Sequence, residues 1–346
     1  MTKFARPGGL IFLRNGWFRL GGVLPALFFL LLCAQSVFSQ ANTGRIIGTV
    51  SDATGAVAPG VQITIVAVET NRSQTFVTDN SGRYSSGPLQ VGVYRVEAQL
   101  TGFKHLVRDA VPLQVQETAV VNLDLELGEM TQEIKVTEAG SLVQTVDSSQ
   151  GQVIDQRRVE ELPLNGRDYI QLSLLSEGTQ APPGQGRTAT GTNDGVGSRA
   201  GGFSAGGQRT IDNNYLLDGF NNNTDDTSFD TNQAEAIKPS VDAIREFKVQ
   251  TNAYSAEFGR AGGGVVNLTL KSGTNGFHGT AYNFLRNEKL DARNFFDPAK
   301  KPPFKRNDYG FTFGGPGIKD KLFFFFAYEK LARRESATVN NTIPTL

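Results

Sequence analysis

Residues 304–330 read FKRNDYGFTFGGPGIKDKLFFFFAYEK, and how this stretch is read decides the fold. In an extended chain Tyr309, Phe311 and Phe313 fall on one side, and Asp308, Gly310, Thr312 and Gly314 on the other. Further on, Leu322, Phe324, Phe326 and Tyr328 share a face, while Phe323, Phe325 and Ala327 make the opposite one between Lys321 and Glu329. Aromatic residues on one side and small, polar or protein-packed residues on the other are the dyad of a bilayer-spanning strand, which needs ~9–11 residues. The first set is expected to meet lipid and the second to meet protein. Three such strands are predicted, near 278–286, 306–315 and 321–330. Single-chain bacterial barrels start at about 8 strands, and an open edge in lipid leaves backbone groups unpaired at several kcal/mol each. The expectation is therefore an incomplete transmembrane β-barrel, whose remaining strands lie beyond Leu346.

Outward from this stretch, composition supports β-structure. The chain has 346 residues, 39 glycines and 24 phenylalanines, a mixture that suits many strands and turns. Lys plus Arg equal Asp plus Glu at 34 each, so no basic excess points to nucleic acid. Lys3, Arg6, Arg14 and Arg19 are the only charged residues before Ala41, which leaves 30 basic against 34 acidic residues after it. They precede an eleven-residue apolar run, Val23 to Cys33. That run is too short for a spanning helix, which needs ~20 residues, and has the size of a signal h-region. Ser39-Gln40-Ala41 places small residues at the expected positions, so residues 1–41 are read as a signal peptide cleaved after Ala41. Cys33 is the single cysteine and follows Leu32, which argues against lipidation. The mature chain then has no thiolate for a metal or disulfide.

Residues 44–128 read as a small all-β domain. GRIIGTVSD, VQITIVAVE, SQTFVTDN, YRVEAQL and AVVNLDLEL are short alternating or β-branched runs separated by Gly and Pro turn signals. Val121, Leu123, Leu125 and Leu127 define one face of the last run, and Asn122, Asp124 and Glu126 the other. GTVSDATGAVAPGVQITI, TDNSGRY and GVYRVEAQLTGF resemble the carboxypeptidase regulatory-like, prealbumin-type (Ig-like) sandwich, an accessory module without catalytic residues. Its fold is shared with carbohydrate-binding modules, which licenses no claim about sugar.

Residues 141–273 differ in texture. VIDQRRVEELPL and DYIQLSLLSEG have helical spacing in part, broken by Pro163 and Gly166. Residues 178–209 are rich in Gly, Thr, Pro and Ser and read as a loop. VDAIREFKV, EFGRAGGG and VVNLTLK resemble the plug-domain core of TonB-dependent outer-membrane receptors. ELPLNGRDYIQL, GGQRTIDNNYLLDG, SGTNGFHGTAYNFLRNEKLDARNFFD and the opening stretch resemble their Oar-like branch, in which a carboxypeptidase-type sandwich precedes the plug. The resemblance covers nearly the whole mature chain in order. It implies an α+β plug over 141–273, the start of a barrel over 274–346, and a linker over 129–140 where the family keeps its TonB box. Glu133, Ile134, Lys135, Val136, Thr137, Glu138 and Ala139 are the residues this implies for pairing with TonB, and their β-favouring alternation suits strand addition to a partner's sheet.

Other motifs dissolve on inspection. GFSAG, Gly202 to Gly206, matches the serine-hydrolase elbow but lacks a strand before and a helix after, and His105 and His278 lie far away in sequence. GVGSRAGG, Gly195 to Gly202, lacks the preceding strand of a dinucleotide site. The loop 221–232, with Asp225, Asp226 and Asp230, has neither the glycine nor the closing glutamate of an EF-hand. No catalytic, cofactor or metal residues are assigned. The reading is a mainly β outer-membrane receptor whose amino-terminal domain faces the periplasm. It touches outer-membrane lipid and an external ligand, and TonB relays its energy. The alternative is a secreted or surface adhesin that binds through the sandwich; outer-membrane fractionation separates the two.

Overall fold

The computed structural model describes residues 42–129, 133–136, 149–181, 202–224, 235–259, 262–293 and 301–335. The expected signal peptide with Cys33, the GVGSRAGG run up to Gly201, and Asp225, Asp226 and Asp230 lie outside them.

The first region is built from β1 (Thr43–Asp52), β2 (Gln62–Ala67), β3 (Ser73–Val77), β4 (Arg83–Ser85), β5 (Leu89–Gln90), β6 (Gly92–Gln99), β7 (His105–Leu113), β8 (Thr118–Val120), β9 (Leu123–Leu125) and β10 (Glu133–Val136). One sheet gathers β4, β5, β8 and β9 around β1; the other runs β10-β7-β6-β2-β3. Alternating residues of both sheets, among them Ile46, Val50, Ile63, Ile65, Val96, Val121 and Leu123, close a dry core. Between β8 and β9 the Val121 carbonyl comes so close to Gly48 of β1, in the same sheet, that a Cβ there would collide with it, and only glycine fits. The alternation read from VNLDLEL holds through Leu125, but Leu127 is exposed, because the chain leaves the sandwich there in a single bridge to Phe103.

The middle segment carries β11 (Gln150–Asp155), the short helix α1 (Gln156–Glu161), β12 (Thr179–Gln180), β13 (Ser204–Ala205), β14 (Asn214–Leu217), β15 (Phe220–Asn221), β16 (Ile244–Asn252) and β17 (Val265–Leu270). The mixed sheet order is β11-β16-β17-β14-β15. Val153 to Asp155, expected to begin a helix, instead pair with β16, because Ile154 has a core to enter opposite Phe247. The helix starts one residue later, capped by Asp155, whose carboxylate accepts the Arg158 N–H at 2.9 Å. It ends before Pro163. DYIQLSLL forms a 3-10 turn over Tyr169–Leu175, with Tyr169 edge-on to Phe247 at 5.6 Å. Phe203, inside the glycine-rich stretch read as loop, is fully buried in this core.

The third region is an antiparallel meander of β18 (His278–Asn287), β19 (Phe304–Ile318) and β20 (Leu322–Glu335). Its sheet is unclosed, consistent with part of a barrel. The facial alternation appears as read. Tyr309, Phe311 and Phe313 are 38%, 43% and 45% exposed, whereas Asp308 and Thr312 on the opposite face are 3% and 5% exposed. Leu322, Phe324, Phe326 and Tyr328 continue the exposed face across β20, and Phe311 lies 5.6 Å from Phe326. On β19 the polar face is the buried one, which inverts the polarity of a water-soluble strand.

Candidate functional site

Three junctions carry the chain's functional geometry: the strand 133–136, the seam between sandwich and middle segment, and the contact of the middle segment with the aromatic sheet.

The first four residues of the expected partner-binding peptide, Glu133 to Val136, form β10 and pair in parallel with β7. The register sets Glu133 opposite His105, Ile134 opposite Leu106, Lys135 opposite Val107 and Val136 opposite Arg108. Thr137, Glu138 and Ala139 lie outside the described residues. The sequence marked the peptide as extended; its docking on the sandwich needed the tertiary structure.

At the seam, the Arg245 guanidinium reaches both carboxylate oxygens of Glu69, at 3.1 and 3.0 Å. The Val115 N–H donates to Glu246 at 2.5 Å, and the Asn42 amide donates to the Leu268 carbonyl at 2.8 Å. Burial pushes the Glu246 carboxyl up to about 7, against the opposing pull of the Val115 hydrogen bond and the Arg245 charge; Glu117 and Asp155 push the same way as burial. Beside the Asn42 contact lies a cavity of about 420 Å³, bordered by Asn42, Gln116, Gln250 and Asn267 among others. Carboxamides gain little from leaving water, so this seam is held by a few directed contacts more than by a dry core.

At the aromatic sheet, Arg167 is the hub. Asn165 to Arg167 turn tightly, with Gly166 at φ 75° and Arg167 at φ 55°. The guanidinium bonds Asp242 and approaches Asp308 of β19 and Glu329 of β20 at 3.9 Å each. It lies 4.4 Å from the ring centroids of both Tyr282 and Phe284 on β18. Arg306 of β19 answers from the sheet, donating to the Gly166 carbonyl at 2.9 Å. The inward polar residues of the sheet thus meet a matching turn of the middle segment. The sequence marked NGRD as a helix breaker and as part of the Oar-like resemblance, but nothing local announces the partners of Arg167, 75 to 162 residues away.

A second buried group sits inside the middle segment. Tyr169 donates its hydroxyl to Glu235, and Lys238 lies 2.7 Å from Asp168. Burial raises the Glu235 carboxyl to about 7, opposed by the Tyr169 hydrogen bond and Lys238. The serine-hydrolase pattern is not an elbow here. Ser204 Oγ donates to the Gln208 carbonyl at 2.6 Å, and Gly206 and Gly207 turn the chain at φ 58° and 77° where an elbow requires a helix. His105 is in the sandwich and His278 in β18. Among the described residues no group of three or more His, Cys, Asp or Glu could hold a metal ion. No helix among them is long and apolar enough to cross a membrane, which leaves membrane strands untouched.

The architecture is that of a sandwich-like region, a mixed α/β middle segment and an unclosed sheet consistent with part of a barrel. Residues 45–126 match the carboxypeptidase regulatory-like domain, and residues 269–346 match an outer membrane beta barrel domain. The chain is 29% identical over 310 residues to the TonB-dependent transporter Oar of Myxococcus xanthus, across 86% of this chain and 27% of that protein. It therefore spans about a quarter of that relative's length. This family-level similarity is to a transporter and not to an enzyme. Among solved structures, the TIE protein of Bacillus anthracis is 22% identical over 25% of this chain and 17% of its own, with a TM-score of 0.23. Catechol 1,2-dioxygenase of Pseudomonas arvilla is 11% identical over 28% of this chain and 56% of its own, again at 0.23. Likeness at that level carries no argument about this chain.

Proposed function

We propose that this chain is the amino-terminal part of a TonB-dependent outer-membrane receptor, which binds an external ligand and imports it with energy relayed by TonB. The observation that carries the reading is the three-stranded sheet. Its aromatic face is exposed, while the charged and polar face of its central strand β19 is buried and meets the middle segment through Arg306 and Arg167. A secreted protein gains nothing from that inverted polarity, whereas a membrane wall around a plug requires it. The sandwich then lies on the periplasmic side, and residues 133–139 couple the receptor to TonB by backbone pairing. Transport in this scheme makes and breaks no covalent bond.

The test uses the full-length receptor in its own outer membrane. The protein is expected to resist carbonate and urea washing of that membrane, and to cross-link to TonB through a photoreactive residue beside the segment. Val136→Pro removes one N–H and fixes φ, so the cross-link should disappear while the protein stays in the membrane. Val136→Thr should retain it. Release into the wash would favour the adhesin reading, and a proline variant that cross-links like the parent would make 133–139 a plain linker.

A further inference from the structure

The parallel pairing of β10 with β7 assigns work to the sandwich. The chain leaves the sandwich at Leu127, bridged to Phe103, and only residues 128–132 separate that bridge from β10. So short a tether keeps Glu133–Val136 at high effective concentration beside β7, whose first four residues it covers. In the order β10-β7-β6-β2-β3, β10 is the terminal strand among the described residues. Successive backbone groups of a strand point to opposite edges, so those not used by β7 point away from the sandwich. The segment is thus already extended, with one edge bonded and the other turned outward.

We propose that the sandwich presents residues 133–136 as a ready-made edge, and that an edge strand of TonB extends the β10-β7-β6-β2-β3 sheet by pairing with the outer side of β10. The proposal rests on the reading of this segment as the TonB-pairing element and says what holds it. Displacing β10 from β7 would uncover the β7 edge and return the peptide to disorder, so its backbone would have to be fixed again on binding. Addition on the outer side keeps every existing bond and needs only main-chain groups, as strand addition does. The sandwich is then part of the coupling platform, and traction on β10 acts directly on its sheet.

A cross-link across the pair decides between presentation and release. Within these 346 residues the only cysteine is Cys33, before the expected cleavage point, so a mature full-length receptor in which any cysteine beyond Leu346 is replaced by serine, and which carries Glu133→Cys and His105→Cys, has one thiol pair. Register partners in a sheet lie within disulfide reach. Binding of the periplasmic domain of TonB is measured on this one variant, oxidised and reduced, in detergent. Presentation predicts affinities within about twofold of each other. A second receptor, lacking residues 44–128 but keeping 129–140, is expected to bind at least tenfold more weakly, because its segment must be ordered at the moment of binding. Reduced protein that binds and oxidised protein that does not would overturn the proposal, since β10 would then have to leave β7. Tighter binding on loss of the sandwich would overturn it too. If the unmodified receptor fails to bind, or Val136→Pro binds as well as the parent, the coupling reading itself falls, an outcome distinct from either.

Discussion

Glu246 makes docking of the sandwich dependent on pH. Its carboxyl sits near 4.5 in water and is raised to about 7 where the turn before β8 covers it. At 1.36 kcal/mol per unit, that difference is worth about 3 kcal/mol. A group whose docked pKa is the higher one favours docking when protonated. Its contribution is therefore complete below about 4.5, declines as pH rises, and is gone above about 7. Hydrogen exchange at Val115 reads the seam directly, because its N–H is the one Glu246 accepts. After correction for intrinsic base catalysis, protection of Val115 should fall by roughly 100-fold between pH 4.5 and pH 8. Glu246→Gln keeps the acceptor and removes the charge, so its protection should stay flat and exceed that of the parent at pH 8. Protection in the parent that is flat, or rises with pH, would refute the argument.

Three further outcomes follow from named contacts. Arg167→Ala leaves Asp242, Asp308 and Glu329 facing one another, and removing one partner of a buried pair costs about 3–5 kcal/mol; the full-length receptor should lose heat-modifiable migration at lower temperature, and an unchanged midpoint would count against the hub. Gly48→Ala drives a Cβ into the Val121 carbonyl, so the sandwich should lose about 1–3 kcal/mol in a denaturant titration, with the site near β10 otherwise unaltered. Phe326→Arg sets a charge on the exposed aromatic face, at a cost of up to about 4 kcal/mol in lipid; outer-membrane levels should drop, whereas Ala327→Ser on the other face should be tolerated.

Much of this molecule was legible one residue at a time. The two-residue period of Tyr309, Phe311 and Phe313 specifies a strand and its two faces, because a strand's side chains alternate whatever surrounds them. The same holds for Val121, Leu123 and Leu125, and Pro163 ends its helix by the geometry of its own ring. Tertiary structure decided what those faces meet. Val153 to Asp155 carry helical spacing yet extend, since pairing with β16 buries Ile154 against Phe247 and outweighs a weak local preference. Phe203 sits among glycines with no period to mark it, and its burial depends on strands far along the chain. Arg167 acquires its role from Asp242, Asp308 and Glu329, and Glu246 its hydrogen-bond donor from a turn 131 residues earlier. The segment 133–136 announces an extended peptide through its composition, but its pairing with β7 is a long-range backbone contact. Periodicity is written locally because side-chain direction is a property of the backbone; partners are not, because a strand edge or a buried charge is completed only when the folded chain brings something to it.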